Sequence, residues 1–85
     1  SMTILVDTNV IIDLINPSSP WRGWAGDQIR AAARARRDLV INPIILAEVS
    51  VPFSSRRRVD EALRPSRFLR EDLPWAAAFA AGKAY

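Results

Sequence analysis

The 85-residue chain contains no cysteine and no histidine, and it has three glycines. Without cysteine or histidine the chain holds no disulfide, no zinc-finger spacing and no Ser-His-Asp triad. A glycine-rich phosphate loop is missing as well, so a small phosphate-binding βαβ domain ranks last among the possible functions. Any bound metal must use oxygen ligands, which favours magnesium, manganese or calcium.

Long apolar runs are also absent. Asp7 and Asp13 interrupt the apolar N-terminal segment, which carries no positively charged leader and is therefore not interpreted as a signal peptide. No run approaches the ~18 apolar residues that suggest a membrane span. We therefore expect a single cytoplasmic domain over residues 2–85 that has no membrane partner, and we interpret Ser1 as a remnant of tag removal.

The composition is that of an ordinary globular domain, with 49% hydrophobic residues, 25% charged residues and a net charge of +3. Eleven of the twelve basic residues are arginine. Arginine is suited to bidentate phosphate contacts, which makes nucleic acid a plausible partner. A GC-rich genome would give the same bias, so both interpretations stay open.

Apolar periodicity indicates the order strand, helix, helix, strand and then further helices. Residues 3–6 and 39–41 are short apolar runs typical of buried parallel strands. Helical patterns cover 10–15, 21–37, 43–51 and 56–63, and a last helix is expected from Leu73, with Asp72 as its N-cap. Asn42 and Pro43 form a typical helix start. The sequence thus predicts an α/β fold with two parallel strands and about four to five helices.

Asp7 and Glu48 are the candidate functional pair. Asp7 directly follows the first predicted strand, and Glu48 lies in the helix that follows the second. The carboxyl ends of parallel strands share one edge of the sheet, so both carboxylates can converge on one cation there. Asp7 could instead cap a helix, and Glu48 could be a solvated helix residue. The apolar neighbours of Glu48 favour a paired carboxylate, with a metal or an arginine as its partner.

Two segments, ILVDTNVIIDLI and NPIILAEV, resemble the first two motifs of PIN domains, the fold of VapC-type toxin ribonucleases. In that family a strand ends in an Asp followed by Thr or Ser, and a Glu lies in the helix after the second strand. LPWAAAFAAGKAY also fits the VapC-like pattern, and the resemblance covers essentially the whole chain. It implies that Asp7 and Glu48 are catalytic ligands of Mg²⁺ or Mn²⁺. Thr8 or Asn9 would be a supporting residue that orients Asp7 or a bound water.

The resemblance implies a PIN-like parallel sheet with helices on both faces, and a metal-dependent endoribonuclease that is the toxin of a toxin–antitoxin pair. Its partners would be an RNA substrate and a cognate antitoxin. The family pattern continues with a third acidic residue and further strands, so we expect residues 2–85 to be a partial PIN domain that is inactive alone. The first strand would be central in the complete sheet, and its exposed edge would promote self-association. The alternative is a non-catalytic PIN remnant that serves as an interaction or self-association module.

Three further groups of residues carry secondary hypotheses. One is the run of three arginines at a predicted helix start, which could contact the RNA backbone or simply be solvated, and these are Arg56, Arg57 and Arg58. Arginines of the second helix could instead contact an antitoxin. Asp13 is interpreted as a helix-surface or hydrogen-bonding residue rather than a ligand. The tryptophans are expected to be core or interface anchors rather than base-stacking platforms, and they are Trp21, Trp24 and Trp75.

Overall fold

Three parallel strands form the sheet of this chain, in the order β1–β2–β3, as seen in a computed structural model that describes residues 2–84. Ser1 and Tyr85 lie outside the described residues. The interpretation of Ser1 as a tag remnant therefore also lies outside what the structure describes. The elements are β1 (Thr3–Leu5), α1 (Thr8–Ile15), α2 (Arg22–Arg34), β2 (Asp38–Ile41), α3 (Pro43–Ser50), α4 (Arg56–Leu63), a 3₁₀ turn (Arg64–Ser66), β3 (Leu69–Arg70) and α5 (Trp75–Ala84). The predicted α/β class, parallel pairing and number of helices are confirmed.

The pairing of β1 with β2 is parallel and aligns Ile4 with Leu39. The Asp38 amide donates to the Met2 carbonyl at 3.1 Å, and the Val6 amide donates to the Val40 carbonyl at 3.0 Å. Backbone groups of alternate residues point to the same side of a strand. The backbone groups of residues 2, 4 and 6 therefore face β2, whereas those of residues 3 and 5 face away from it.

One face of the sheet supports the hydrophobic core. The core cluster contains side chains from β2, from three helices and from the residue after β1, and these are Val6, Ile11, Leu39, Ile41, Ile45, Val49, Val59 and Leu63. From α2, Ile29 and Ala32 pack against the same cluster. Two right-handed crossovers that progress in one direction place their helices on one side of a sheet. Helices α1 to α4 all contribute to this cluster or pack against it, so they share one face, and the expectation of helices on both faces stays a prediction.

The third strand, β3, was missed by the sequence analysis, which predicted two strands. Leu69 aligns with Val40 and Arg70 with Ile41, and the Glu71 amide donates to the Ile41 carbonyl at 3.0 Å. A strand of two residues shows no periodicity, so its pairing with β2 cannot be recognised from local sequence. With β3 present, β2 is the middle strand of the described sheet, and β1 lies at an edge.

The helix boundaries follow local backbone chemistry. Asn42 is the N-cap of α3 as predicted, and its Oδ1 accepts from the Ile45 amide at 2.9 Å, with Pro43 in the first turn. Helix α2 ends three residues earlier than predicted, because Arg36 adopts a left-handed conformation with φ of 56°. Helix α5 begins at Trp75 rather than Leu73, and Asp72 does not cap it. A residue that precedes proline, as Leu73 does, is disfavoured in helical conformation.

The three tryptophans are not core anchors within the described chain. Trp21 is 61% exposed, Trp24 is 51% exposed and Trp75 is 92% exposed. The core face of α2 is formed instead by Ala25 and Ile29, the first buried and the second half-buried. No helix among residues 2–84 combines the length and the apolar character needed to cross a membrane.

We predict that Asn42→Ala lowers the free energy of unfolding by about 1 kcal/mol, because the Ile45 amide loses its side-chain acceptor. Chemical denaturation followed by circular dichroism measures this change. Asn42→Asp is the matched control, since aspartate caps a helix about as well as asparagine and should leave the stability nearly unchanged. Equal stability of the Ala and Asp variants would contradict the capping role.

Candidate functional site at the carboxyl edge of the sheet

Asp7 occupies the turn between β1 and α1, and its side chain is exposed. Its backbone is extended, with φ of −64° and ψ of 137°, and its carbonyl accepts from the amides of Val10 and Ile11. Asp7 therefore occupies the N-cap position of α1, and a helix cap was one of the two interpretations that the sequence allowed for this residue. Its carboxylate makes no capping hydrogen bond, however. The oxygens of this carboxylate are not used to hold the helix start and remain accessible to a ligand.

Glu48 lies in the last turns of α3 and is joined to the β1–α1 junction by a side-chain hydrogen bond. The Thr8 hydroxyl donates to Glu48 Oε1 at 3.3 Å. Because Thr8 directly follows Asp7, this contact brings the two sequence-predicted carboxylates to the same edge of the sheet. Glu48 therefore lies beside the β1–α1 junction, and its convergence with Asp7 on one cation stays a prediction.

The expectation that Glu48 is surrounded by apolar side chains is wrong, because the residue is exposed. Only Ile45 and Val49 of α3 are buried, and their four-residue spacing defines the core face of this helix. Glu48 lies beside that face, in line with Ile44, which is 48% exposed. Solvent and the Thr8 hydroxyl thus satisfy the carboxylate, and burial supplies no argument for a metal at this position.

Of the two predicted supporting residues, Thr8 contacts Glu48. That Thr8 or Asn9 orients Asp7 or a bound water stays a prediction. Asn9 is exposed on the first turn of α1. Asp13 accepts from the Ser19 hydroxyl at 2.9 Å in a half-buried contact, which confirms it as a hydrogen-bonding residue.

The arginine run at the start of α4 is largely engaged with its own helix. Arg57 Nε lies 3.0 Å from Glu61 Oε1, and Arg56 Nε lies 3.9 Å from Asp60 Oδ2. These are exposed pairs between residues four apart, which contribute little stability but reduce the local positive charge. Arg58 is exposed and takes part through its amide, which donates to the Ser55 hydroxyl at 3.3 Å.

Two further acidic residues lie at this edge, of which the sequence analysis did not recognise Glu71 and interpreted Asp72 only as a helix N-cap. Glu71 and Asp72 follow β3, so they leave the sheet at the same edge as Asp7. They line a small groove with Asn42 and Pro43. The signal that could have found them is a third strand–acid junction, which is hidden by the shortness of β3.

This edge of the sheet offers only a few oxygen ligands to a cation. No group of three or more acidic, histidine or cysteine side chains within residues 2–84 is arranged to hold a metal ion. Asp7 and Glu48 supply a pair of carboxylates, and magnesium is commonly held by one or two carboxylates with waters and substrate phosphates. The pair therefore suits a weakly held, hydrated hard cation better than a closed structural site.

Comparisons with known proteins add no relatives to this picture. A scan against protein-family models, a search of curated proteins and a search of solved structures each found no significant match to this chain.

We predict that Thr8→Val changes the free energy of unfolding by no more than about 1 kcal/mol, because a hydrogen bond in a solvated position has a small net value. Thermal unfolding measures the change, and Thr8→Ser, which keeps the hydroxyl, is the matched control. A much larger loss in the valine variant would show that the Thr8–Glu48 contact is essential to the packing of α1 on α3.

Proposed function

We propose that this chain carries the first two carboxylate ligands of a metal-dependent endoribonuclease of the PIN type. The observation that supports the proposal is the hydrogen bond between Thr8 and Glu48, which joins the β1–α1 junction to α3. The contact joins the DTN segment, which follows β1, to the Glu of the NPIILAEV segment, which follows β2. These are the two positions at which the resemblance to PIN domains requires acidic residues.

Each residue of the proposed site has a distinct task. Asp7 and Glu48 would hold Mg²⁺ or Mn²⁺, and the bound cation would supply water activation and charge stabilisation at an RNA phosphodiester. Thr8 donates to Glu48 and restricts the orientation of that carboxylate. Asp7 leaves its carboxylate unused by the helix start, so the oxygens are free to bind the cation or to orient a water molecule.

The proposal extends to the biological setting of VapC-like toxins. The protein would act in the cytoplasm on RNA, and a cognate antitoxin would block its site. The proposal needs a further acidic ligand, because the PIN pattern has a third acidic residue after the two motifs that carry the resemblance. Because magnesium held by two carboxylates is bound weakly, the 85-residue chain alone should show little or no nuclease activity.

We predict that Mn²⁺ added to the isotopically labelled chain broadens the amide resonances of Asp7, Thr8 and Glu48 before those of other residues, because the cation binds between the two carboxylates. Asp7→Asn and Glu48→Gln should each abolish this selective broadening. Glu61→Gln is the matched control, since it removes an exposed helical carboxylate in α4 and should leave the broadening unchanged. Broadening centred on Glu71 would contradict the assignment.

The catalytic part of the proposal is tested on the protein expressed from its full reading frame. Replacement of Asp7 or Glu48 by alanine should lower Mn²⁺-dependent RNA cleavage by more than about 100-fold, since even outer-shell partners of a metal contribute 10- to 100-fold. Undiminished cleavage by either variant would exclude that residue as a ligand.

A second candidate function, a non-catalytic self-association module, is favoured by the exposed apolar surface of the chain. In the part of the chain that the structure describes, β1 pairs with β2 alone, and its other edge is free. Leu5 on this strand is 60% exposed, and Trp75 and Phe79 on α5 are 92% and 69% exposed. Free edges and apolar patches of this kind promote pairing with another chain.

We predict that the chain self-associates, and that Thr3→Pro shifts it towards monomer in sedimentation velocity. The backbone of Thr3 faces the free edge, so proline removes an N–H needed for pairing between chains without breaking the bonds to β2. Thr3→Ser is the matched control and should associate like the unmodified chain. A monodisperse monomer at all concentrations would contradict this second function and leave the nuclease proposal intact.

A further inference from the structure

The edge of the sheet opposite Asp7 and Glu48 is strongly basic. Arg36 and Arg37 immediately precede β2, and Arg64 and Arg67 precede β3. Since the strands are parallel, both pairs lie where the chain enters the sheet, at the edge away from the carboxylates. We call these four residues the basic edge. All four are exposed, and none forms an ion pair within residues 2–84.

Three of the four arginines of the basic edge line two grooves, and Arg36 lies outside both linings. Arg37 and Arg67 line the first, which lies between α2 and the start of β3. Arg64 and Arg67 line the second, which lies between α4 and β3. Arg67 lines both grooves, so the two grooves adjoin at this residue.

Acidic side chains only partly offset this charge. Asp38 lines the first groove and contributes one negative charge to it. Asp60 lines the second groove but is paired with Arg70, at 2.8 Å between Oδ1 and Nη2. The four arginines thus keep an excess of positive charge along the edge.

The backbone gives a second, independent observation. The two non-glycine residues with positive φ among residues 2–84 are both arginines of the basic edge, Arg36 at 56° and Arg67 at 55°. Each ends a helical segment in the position where glycine is normally preferred. A positive charge at a helix end is favourable in itself, but any residue of the last turn could supply it without a left-handed backbone. Unfavourable backbone conformations are often retained at functional positions.

We propose that the basic edge is a second RNA-binding surface that holds the phosphate backbone of single-stranded RNA without reading its sequence. Guanidinium groups bind phosphate in bidentate fashion, and basic grooves follow the backbone of single strands. The choice of RNA as the occupant rests on the proposed nuclease function, whose metal site lies at the opposite edge. The basic edge would hold a flanking stretch of the RNA substrate while another stretch reaches the carboxylates.

The test uses fluorescence anisotropy of a fluorescein-labelled oligouridine, with EDTA present and across a series of salt concentrations. We expect affinity to fall with rising salt, as it does for phosphate contacts. Arg36→Gly with Arg67→Gly should reduce the slope of log affinity against log salt by about 1.4, because each single-strand phosphate contact contributes about 0.7. Glycine relieves the left-handed backbone at both positions, so the melting temperature should stay the same or rise.

Two further variants locate the surface. Arg37→Gln with Arg64→Gln removes two charges from the same edge without touching the left-handed residues, and it should reduce the slope by the same amount. Arg56→Gln with Arg57→Gln removes two charges at the start of α4 and should leave the slope unchanged. Unchanged slopes for both basic-edge variants would overturn the proposal, as would a loss confined to the Arg56 and Arg57 variant.

Two other results would also overturn the proposal. Oligouridine binding that does not depend on salt would exclude phosphate contacts. Binding of polyglutamate but not of oligouridine would assign the surface to an acidic protein. Because EDTA removes the metal, Asp7→Asn should bind oligouridine like the unmodified chain. The experiment therefore tests the proposed RNA-binding surface independently of the proposed metal site.

Discussion

The parallel alignment of β1 with β2 is the constraint on which the rest of the structure depends. Thr3 aligns with Asp38 and Leu5 with Val40, so both strands end at the same edge of the sheet. An antiparallel pairing would carry Asp7 to the edge opposite Glu48. The parallel arrangement requires a long crossover, which α1 and α2 supply while packing Ile11 and Ile29 into the core.

This topology also separates charge along the strand direction. The segments that lead into β2 and β3 are rich in arginine. Two of these residues, Arg36 and Arg67, have a left-handed backbone conformation. The strands leave the sheet at Asp7 and Glu71. The two edges are thus chemically different, and the proposed cation site and the proposed RNA surface lie at opposite ends of the same strands.

Local signals were sufficient to predict the elements around the candidate site. The strands β1 and β2 and the Asn42–Pro43 helix start each depend on a few neighbouring residues, and all are present in the structure. β2 is buried as predicted, whereas β1 is largely exposed. The same signals placed Asp7 at the end of β1 and Glu48 in the helix after β2, and the Thr8–Glu48 contact shows that these two segments meet. The proximity of Glu48 to the β1–α1 junction could therefore be predicted from the sequence.

What could not be predicted depends on contacts between distant segments. The two-residue strand β3 exists because β2 offers a pairing edge, so neither β3 nor Glu71 was recognised. The exposure of Glu48 depends on which side of α3 meets the core, and apolar neighbours on both sides in sequence concealed it. Trp75 shows the same limit, since an aromatic residue in a helix predicts burial only when another element covers it.

The most direct measurement of the central claim is anomalous diffraction from crystals of this chain soaked in a high concentration of Mn²⁺. We predict an anomalous peak within bonding distance of carboxylate oxygens from both Asp7 and Glu48, at the edge where β1 and β2 end. A peak bound to other carboxylates, or the absence of any peak between these two, would contradict the assignment of this edge as the metal site.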